Sequence, residues 1–338
     1  MGAGSIGTIL GAKLANGGVK VDLIDSYKDH VDALNKNGAT VKGSIELNNV
    51  PVHALLPEDM EGIYDYVFLI CKQTGTKEAV DLLLPHLGPD STVCTLQNGV
   101  PEPALAELIG KERTVGGIVI FAATFEGPGV SISTSPVNHV ENNTILEIGE
   151  IDGKITPRIL ELQKILSPMG HVEVSELLMA TRWYKVCVNS TQSALSAIVG
   201  ANWGVARDRE DSLLTVAHIA DEGLRVARAD GIPTLPFFAE MELKDGMTAK
   251  AAGEYFKERY ADGTMKASML QDLEKGRPCE INFINGFICK MGRKYGIPTP
   301  FNDMAVAVIS AAQARKTVWN ADEGMSFFRP LLKMTGDL

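Results

Sequence analysis

The sequence predicts an α/β domain built on a doubly wound, mainly parallel sheet, followed by an all-helical domain. Three observations carry this reading. Short β-rich runs alternate with amphipathic helical runs through the first half, a glycine-rich turn opens the chain directly before a helical pattern, and beyond about Ser175 strand signals nearly vanish while long helical runs take over. With 338 residues and 45% hydrophobic side chains, the chain is long enough to bury two cores. The change of pattern sets the expected domains at residues 1–175 and 176–338.

Taken in order, the first helical stretch is expected at Ile6 to Asn16, a strand at Val19 to Asp25, and a helix at Tyr27 to Asn37. A strand at Tyr66 to Cys71, a helix at Thr76 to Leu84 and a strand at Thr92 to Gln97 continue the alternation. From Thr114 to Glu150 the composition turns to Val, Ile, Thr and Gly, with turn residues Gly127-Pro128-Gly129, which predicts antiparallel strands appended to the parallel sheet. A helix at Pro157 to Leu166 and a strand at Val172 to Val174 close the domain. Helices are then expected at Glu176 to Val199, Asp211 to Ala229, Ala249 to Tyr260, Asn282 to Tyr295 and Phe301 to Lys316. Gly231-Ile232-Pro233, Gly276-Arg277-Pro278 and Gly296-Ile297-Pro298 punctuate them as stops followed by new starts.

Composition excludes several function classes. The net charge of −10 repels a phosphate backbone and argues against nucleic-acid or anionic-membrane partners. Five cysteines without C-x-x-C spacing, mostly inside apolar runs, read as reduced thiols of a cytoplasmic protein. The longest apolar stretch, around Val115 to Ala123, falls short of the roughly 18 residues that span a bilayer. No signal peptide is visible, and the six histidines lack metal-ligand spacing, so no metal is expected.

Gly2-Ala3-Gly4-Ser5-Ile6-Gly7 fits G-x-G-x-x-G, the turn that lets a pyrophosphate approach the N–H groups and positive dipole end of a helix. The motif alone is weak, but Asp25 lies 18 residues past Gly7 at the end of the next expected strand, where a carboxylate can accept hydrogen bonds from ribose hydroxyls. Together they predict a Rossmann-type dinucleotide-binding domain. Asp25 repels a 2′-phosphate and no arginine follows it, which favours NADH; Lys28 could still reach a phosphate, so NADPH stays open. The strand that should precede the fingerprint is absent, with Met1 in the place of its last residue, and an apolar run of about five or six residues upstream is the expectation.

In the second half, Lys185 and Asn189 lie four apart on one helix face, with Ser193 a turn later. Lys185 has two readings: it snorkels to the surface from its apolar neighbours, or it is buried, with a lowered pKa, as a proton donor. Glu280 follows Pro278, which would place it in the first turn of a helix as a dipole-matched acid or as part of a site. Ser268 is likewise either a surface hydroxyl or a ligand.

These residues, with Leu96-Gln97-Asn98-Gly99, Lys72 after Leu69-Ile70-Cys71, Trp183-Tyr184-Lys185-Val186, Ser268-Met269-x-x-Asp272 and Glu280-Ile281-x-x-Ile284-Asn285-Gly286, resemble the ketopantoate reductase (2-dehydropantoate 2-reductase) family over nearly the whole chain. The resemblance implies a Rossmann domain joined to a helical domain of the 6-phosphogluconate-dehydrogenase type, with substrate bound between them. It implies NAD(P)H-dependent reduction of 2-dehydropantoate to (R)-pantoate, on the way to pantothenate and coenzyme A.

It assigns Lys185 as general acid, and Glu280 to the substrate hydroxyl, the lysine and the cofactor. Asn98, Asn189, Ser193 and Ser268 fall to substrate binding. Gly2, Gly4, Ser5, Ile6, Gly7, Asp25, Lys72 and Asn98 fall to the cofactor. A homodimer is compatible with it.

The chain departs from the family pattern in having Asp25-Ser26 where an arginine usually follows the second strand, and Ser193 where a further asparagine is often found. Both bear on the cofactor and on the particular 2-oxo acid. A reductase of another branched 2-oxo acid or an opine-type dehydrogenase stays open. A non-catalytic redox sensor does too, although it would need none of Lys185, Asn189, Ser268 and Glu280.

Overall fold

The computed structural model describes residues 1–137, 143–233, 248–259, 263 and 266–338, which divide into two compact units, Met1–Met179 and Ala180–Leu338. The first unit runs α1 (Ser5–Asn16), β1 (Asp22–Ile24), α2 (Lys28–Asn37), β2 (Ala39–Gly43), β3 (Leu47–Val50), β4 (His53–Leu55), β5 (Tyr66–Leu69), α3 (Thr76–Leu83), β6 (Thr92–Thr95), α4 (Glu102–Ile109), β7 (Thr114–Val119), β8 (Ala123–Gly127), β9 (Val130–Ser133), β10 (Leu146–Gly149), α5 (Pro157–Leu166) and β11 (Val172–Val174).

Parallel pairing joins β5, β6 and β7; β10 then runs antiparallel to β7, and β11 lies parallel to β10 at the edge. On the other side β1 and β4 form a parallel pair of their own. The three residues Met1 to Ala3 stitch the two groups together: the N–H of Gly2 donates to Ile24 O at 2.8 Å, the Met1 ammonium to Phe68 O at 2.9 Å, and the N–H of Ile70 to Met1 O at 2.9 Å.

Two apolar clusters cover the two faces. Ile9, Leu10 and Leu14 of α1 and Leu162 and Leu166 of α5 pack on one side; Val80 and Leu83 of α3 and Leu105 and Ile109 of α4 pack on the other. The three layers are those of a doubly wound sheet.

The structure differs from expectation between residues 114 and 150. There β7 continues the parallel sheet and β10 joins it antiparallel, but the β8–β9 hairpin pairs instead with β2 and β3, giving a separate sheet in the order β3-β2-β9-β8. The alternation of Val130 to Ser133 reads equally well in either sheet, and only tertiary pairing through β2 decides. The strands β2 and β3 carry Lys, Gly and Asn, weak strand signals, and β4 is only the three residues His53–Leu55, which hid them from the sequence.

The second unit is helical: α6 (Leu178–Val199, begun in the last residues of the first unit), α7 (Trp203–Arg207), α8 (Glu210–Ala229), α9 (Ala249–Arg259), α10 (Ser268–Glu274), α11 (Asn285–Tyr295), α12 (Pro300–Arg315), α13 (Ala321–Ser326) and α14 (Arg329–Thr335). Tyr260, the expected end of α9, lies outside the described residues. Of the Gly-x-Pro breaks, the third falls between two helices: Gly296 caps α11 in the left-handed conformation, and α12 starts at Pro300, two residues past Pro298. The helix after the first break would begin outside the described residues, and no α-helix starts at Pro278. No described helix is long and apolar enough to cross a membrane, and all five cysteines are free.

Candidate active site

The glycine turn is closed on its inner side and open on its outer side. Gly2 has φ +94°, and a Cβ there would stand 2.5 Å from the Cys71 nitrogen; at Gly7 it would stand 2.2 Å from Gly2 O. At Gly4, the N-cap of α1, a Cβ would meet nothing, and no side chain caps the helix. The first-turn N–H groups of α1 have no intrahelical acceptor, so an exposed anion cradle forms at Gly4, Ser5 and Ile6.

Two buried side chains hold this turn from below. Thr8 Oγ1 and His30 Nε2 both donate to Ala3 O at 2.7 Å, while the N–H of Gly129 donates to His30 Nδ1 at 2.9 Å. Since Nδ1 accepts, Nε2 carries the proton and the imidazole is neutral.

At the end of β1, Asp25 Oδ1 accepts the N–H of Tyr27 at 2.9 Å, a local turn that leaves Oδ2 for a ligand hydroxyl. Lys28, the alternative phosphate partner, is exposed and bridged to Asp32 at 2.7 Å. Lys72 is exposed after β5, and Asn98 follows β6. Buried Gln97 ties these strand ends together: its amide donates to Cys71 O and to Thr76 Oγ1, each at 2.8 Å. Gln73 donates to Asn98 O. A dinucleotide fits this donor set, with phosphate at the α1 N-terminus and ribose at Asp25.

In the second unit, Lys185 and Asn189 are partly buried on successive turns of α6. Desolvation, reinforced by the Arg182 guanidinium one turn earlier and opposed by the Glu280 carboxylate, lowers the Lys185 ammonium from 10.5 to about 7. Ser193 Oγ lies 3.3 Å from Ser268 Oγ and accepts the N–H of Met269 at 3.3 Å, which joins α6 to the start of α10.

Glu280 is buried but differs from expectation in its setting. Pro278 does not open a helix; Glu280 precedes a single 3-10 turn, Ile281–Phe283, and its carbonyl takes the N–H groups of Phe283 and Ile284 before α11 begins at Asn285. Lys185, Asn189, Ser193 and Ser268 thus line one stretch of α6 and α10, and the Glu280 charge acts on Lys185.

Beneath this face lies a polar network that sequence reasoning did not single out. Glu222 of α8 accepts the N–H groups of Phe301 and Asn302, each at 2.9 Å, and the Asn302 amide at 2.7 Å. Asn285 donates to Asn302 Oδ1 at 3.0 Å and to Ser190 O on α6 at 3.1 Å. Burial pushes the Glu222 carboxyl from 4.5 up to about 7 despite these donors. The turn of α6 that carries Asn189 is therefore braced against α8, α11 and α12. His30 and Gln97 were missed as positioning residues because their partners, Ala3 O, the Gly129 N–H, Cys71 O and Thr76 Oγ1, lie far away in sequence, and Thr8 because its partner is a backbone carbonyl that any residue supplies.

The chain matches two family models, ketopantoate reductase PanE/ApbA over residues 1–153 and its C-terminal counterpart over residues 177–313. It is 29% identical to a 2-dehydropantoate 2-reductase of Mesorhizobium japonicum, covering 91% of this chain and 95% of that one. A 2-dehydropantoate 2-reductase of Pyrococcus horikoshii is 28% identical, with 93% and 96% covered.

Among solved structures, a PanE/ApbA family ketopantoate reductase from Ralstonia eutropha superposes with a TM-score of 0.79 at 28% identity, covering 94% of this chain and 98% of that one. A D-mandelate dehydrogenase solved with NADH and anilino(oxo)acetate gives 0.79 at 24% identity, covering 93% and 97%, a likeness of fold alone. With both models matched in order over most of its length, the chain belongs to the ketopantoate reductase family.

Proposed function

We propose that the protein reduces 2-dehydropantoate to (R)-pantoate with a nicotinamide dinucleotide, NADH in preference to NADPH, and that Lys185 is the general acid. The observation that carries this reading is the desolvated Lys185 ammonium, titrating at about 7 beside the Glu280 charge. An ammonium of that pKa is protonated in a large fraction at neutral pH and gives up its proton readily.

A bound reduced nicotinamide supplies hydride to C2 of the 2-oxo acid. Negative charge then develops on the ketone oxygen, and Lys185 Nζ donates a proton to it, yielding the alcohol and a neutral amine. That cation near the oxygen stabilises the transition state more than the uncharged ketone. Glu280 keeps the lysine protonated until that moment and holds the substrate hydroxyl. Asn189 orients the lysine, while Ser268, its hydroxyl set by Ser193, takes the substrate carboxylate. Asn98, anchored through Gln73, orients the ketone. In the first unit Gly2, Gly4, Ser5, Ile6 and Gly7 hold the pyrophosphate, Asp25 the adenosine ribose, and Lys72 lies along the cofactor.

The test is steady-state turnover with 2-dehydropantoate and a panel of branched, aromatic and unsubstituted 2-oxo acids, each with NADH and NADPH. The highest kcat/KM is expected for 2-dehydropantoate with NADH. A higher value for another 2-oxo acid reassigns the substrate, and one for NADPH reassigns the cofactor. No turnover with any pair favours the sensor reading.

A further inference from the structure

Two loops of the first unit carry Lys72 and Asn98, and they part where their strands end. β5 and β6 pair in parallel as far as Leu69 and Thr95, and a last backbone bond runs from the N–H of Leu96 to Leu69 O at 2.9 Å. Among the described residues no backbone hydrogen bond joins residues 71–76 to residues 97–100. Side chains take over that task. Gln97, 3% exposed, sends its amide across to the Cys71 carbonyl and to Thr76 Oγ1, each at 2.8 Å. In the opposite direction the Gln73 amide donates to Asn98 O. The two glutamines cross, each reaching from its own loop to the backbone of the other.

The Gln97 amide has one permitted orientation. Cys71 O can only accept, so the amide nitrogen faces it, and both amide hydrogens are then spent on Cys71 and Thr76. Thr95, fully buried, closes the other side: its hydroxyl donates to Gln97 Oε1 at 3.1 Å and accepts the N–H of Gln97 at 3.4 Å. A buried amide bonded through both its nitrogen and its oxygen is held rigidly. The Cys71 carbonyl that it grips belongs to the peptide plane leading into Lys72, and the residue after Gln97 is Asn98. Thr76 opens α3, so the same amide also ties that helix to the end of β6.

We propose that Gln97, held by Thr95 and Thr76, is a positioning residue of the reaction: it fixes the separation of Lys72 from Asn98, and so the alignment of the dinucleotide with the ketone. Gln97 acts through Asn98 and Lys72 in the roles given above and rests on that reading of them. Asn98 is half-buried and Lys72 exposed, on loops with no backbone ladder between them, so the sheet alone does not set their distance. A shift of one loop against the other breaks the bonds of both glutamines at once. Misplacing reacting groups by about 1 Å costs about 10²-fold in rate, which sets the scale of the effect.

The experiment measures kcat and KM with NADH and whichever 2-oxo acid of the panel is turned over best, NADH affinity by fluorescence titration, and Tm. The variants are Gln97→Met, Thr76→Val, Thr76→Ser, Asn98→Ala, and Gln97→Met combined with Asn98→Ala. Gln97→Met is expected to lower kcat by about 10- to 100-fold and to weaken NADH binding through Lys72. Thr76→Val, which takes one bond from the less buried end, should lower kcat by about threefold, and Thr76→Ser, which keeps the hydroxyl, should restore it. With Asn98 already replaced, Gln97→Met should lower kcat by less than about twofold more, because the residue it acts through is gone. A purely structural glutamine would lower Tm and leave kcat of the folded enzyme and NADH affinity in place. The proposal is overturned by unchanged kcat in Gln97→Met, by an equal loss with and without Asn98, or by Thr76→Ser as impaired as Thr76→Val. Should Gln97→Met not fold, the two Thr76 variants decide alone. Full activity in Asn98→Ala overturns the reading of the site and the proposal together, whereas an impaired Asn98→Ala beside an unimpaired Gln97→Met overturns the proposal alone.

Discussion

In the first unit the surface offered to a ligand is backbone: helix N–H groups exposed because Gly4 has no side chain and because Gly2 and Gly7 let the turn close to within van der Waals limits. In the second it is a single side-chain charge, set by burial and by two charged neighbours, Arg182 and Glu280. The first depends on shape, with its supporting histidine bonded on both nitrogens. The second depends on an ionisation equilibrium. Binding and chemistry are therefore separable by experiment, and each variant below is chosen to act on one and spare the other.

The largest separation is expected from Lys185→Ala. General acid catalysis is typically worth about 10²- to 10⁴-fold, so kcat should fall by that factor while NADH affinity, read by fluorescence titration, stays unchanged. An equal loss in both would make Lys185 a cofactor or packing residue.

The pH profile sharpens the same contrast. The folded-state pKa of Lys185 is depressed from 10.5 to about 7, and reduction needs the protonated form, so kcat/KM should fall about tenfold per pH unit above about 7. NADH affinity should stay flat over that limb. Glu280 raises the lysine pKa, so Glu280→Gln should move the limb to lower pH in addition to raising the substrate KM. A limb that stays in place would disconnect the two residues.

The degree to which each unit was legible in the sequence follows from the same difference. The glycine turn and Asp25 could be read directly, because a backbone site is specified by local spacing. Lys185, Asn189 and Ser193 could be placed on one face by helical periodicity, yet whether Lys185 was buried or snorkelling could not, since burial is decided by helices distant in sequence. Glu280 was noticed for the wrong local reason: Pro278 suggested a helix start, whereas the chain makes a 3-10 turn first. Thr8, His30 and Glu222 carried no signal, and Gln97 stood out only as part of Leu96-Gln97-Asn98-Gly99, with no role of its own. Their partners Ala3 O, Gly129 N, Cys71 O and Asn302 N are backbone atoms, and any residue type supplies those.

His30→Ala tests whether support beneath the turn matters to what happens above it. The substitution leaves the Gly129 N–H without its acceptor and Ala3 O with Thr8 alone, and an unsatisfied buried group costs about 1–3 kcal/mol. Tm should drop and NADH binding should weaken, while kcat at saturating NADH should hold. A fall in kcat with unchanged binding would mean that the two units are not separable in the way proposed.

The smallest effect concerns the choice of cofactor. Replacing Asp25 by alanine would remove the charge that repels a 2′-phosphate, but also the acceptor for the Tyr27 N–H that shapes the turn. An asparagine at the same position would keep that acceptor, because its side-chain oxygen can occupy the place of Oδ1. Ser26 is exposed beside it, so an arginine there has room to extend toward a phosphate. Asp25→Asn combined with Ser26→Arg should therefore shift the NADPH/NADH ratio of kcat/KM upward by about tenfold, the worth of one exposed charge contact plus one removed repulsion. The change should appear in KM for the dinucleotide and leave kcat and the alkaline limb alone, because the Lys185 ionisation is set within the helical unit. If Asp25→Asn alone raised NADPH use as much as the pair, repulsion would be the whole of the discrimination. If neither moved it, selectivity would lie outside the end of β1.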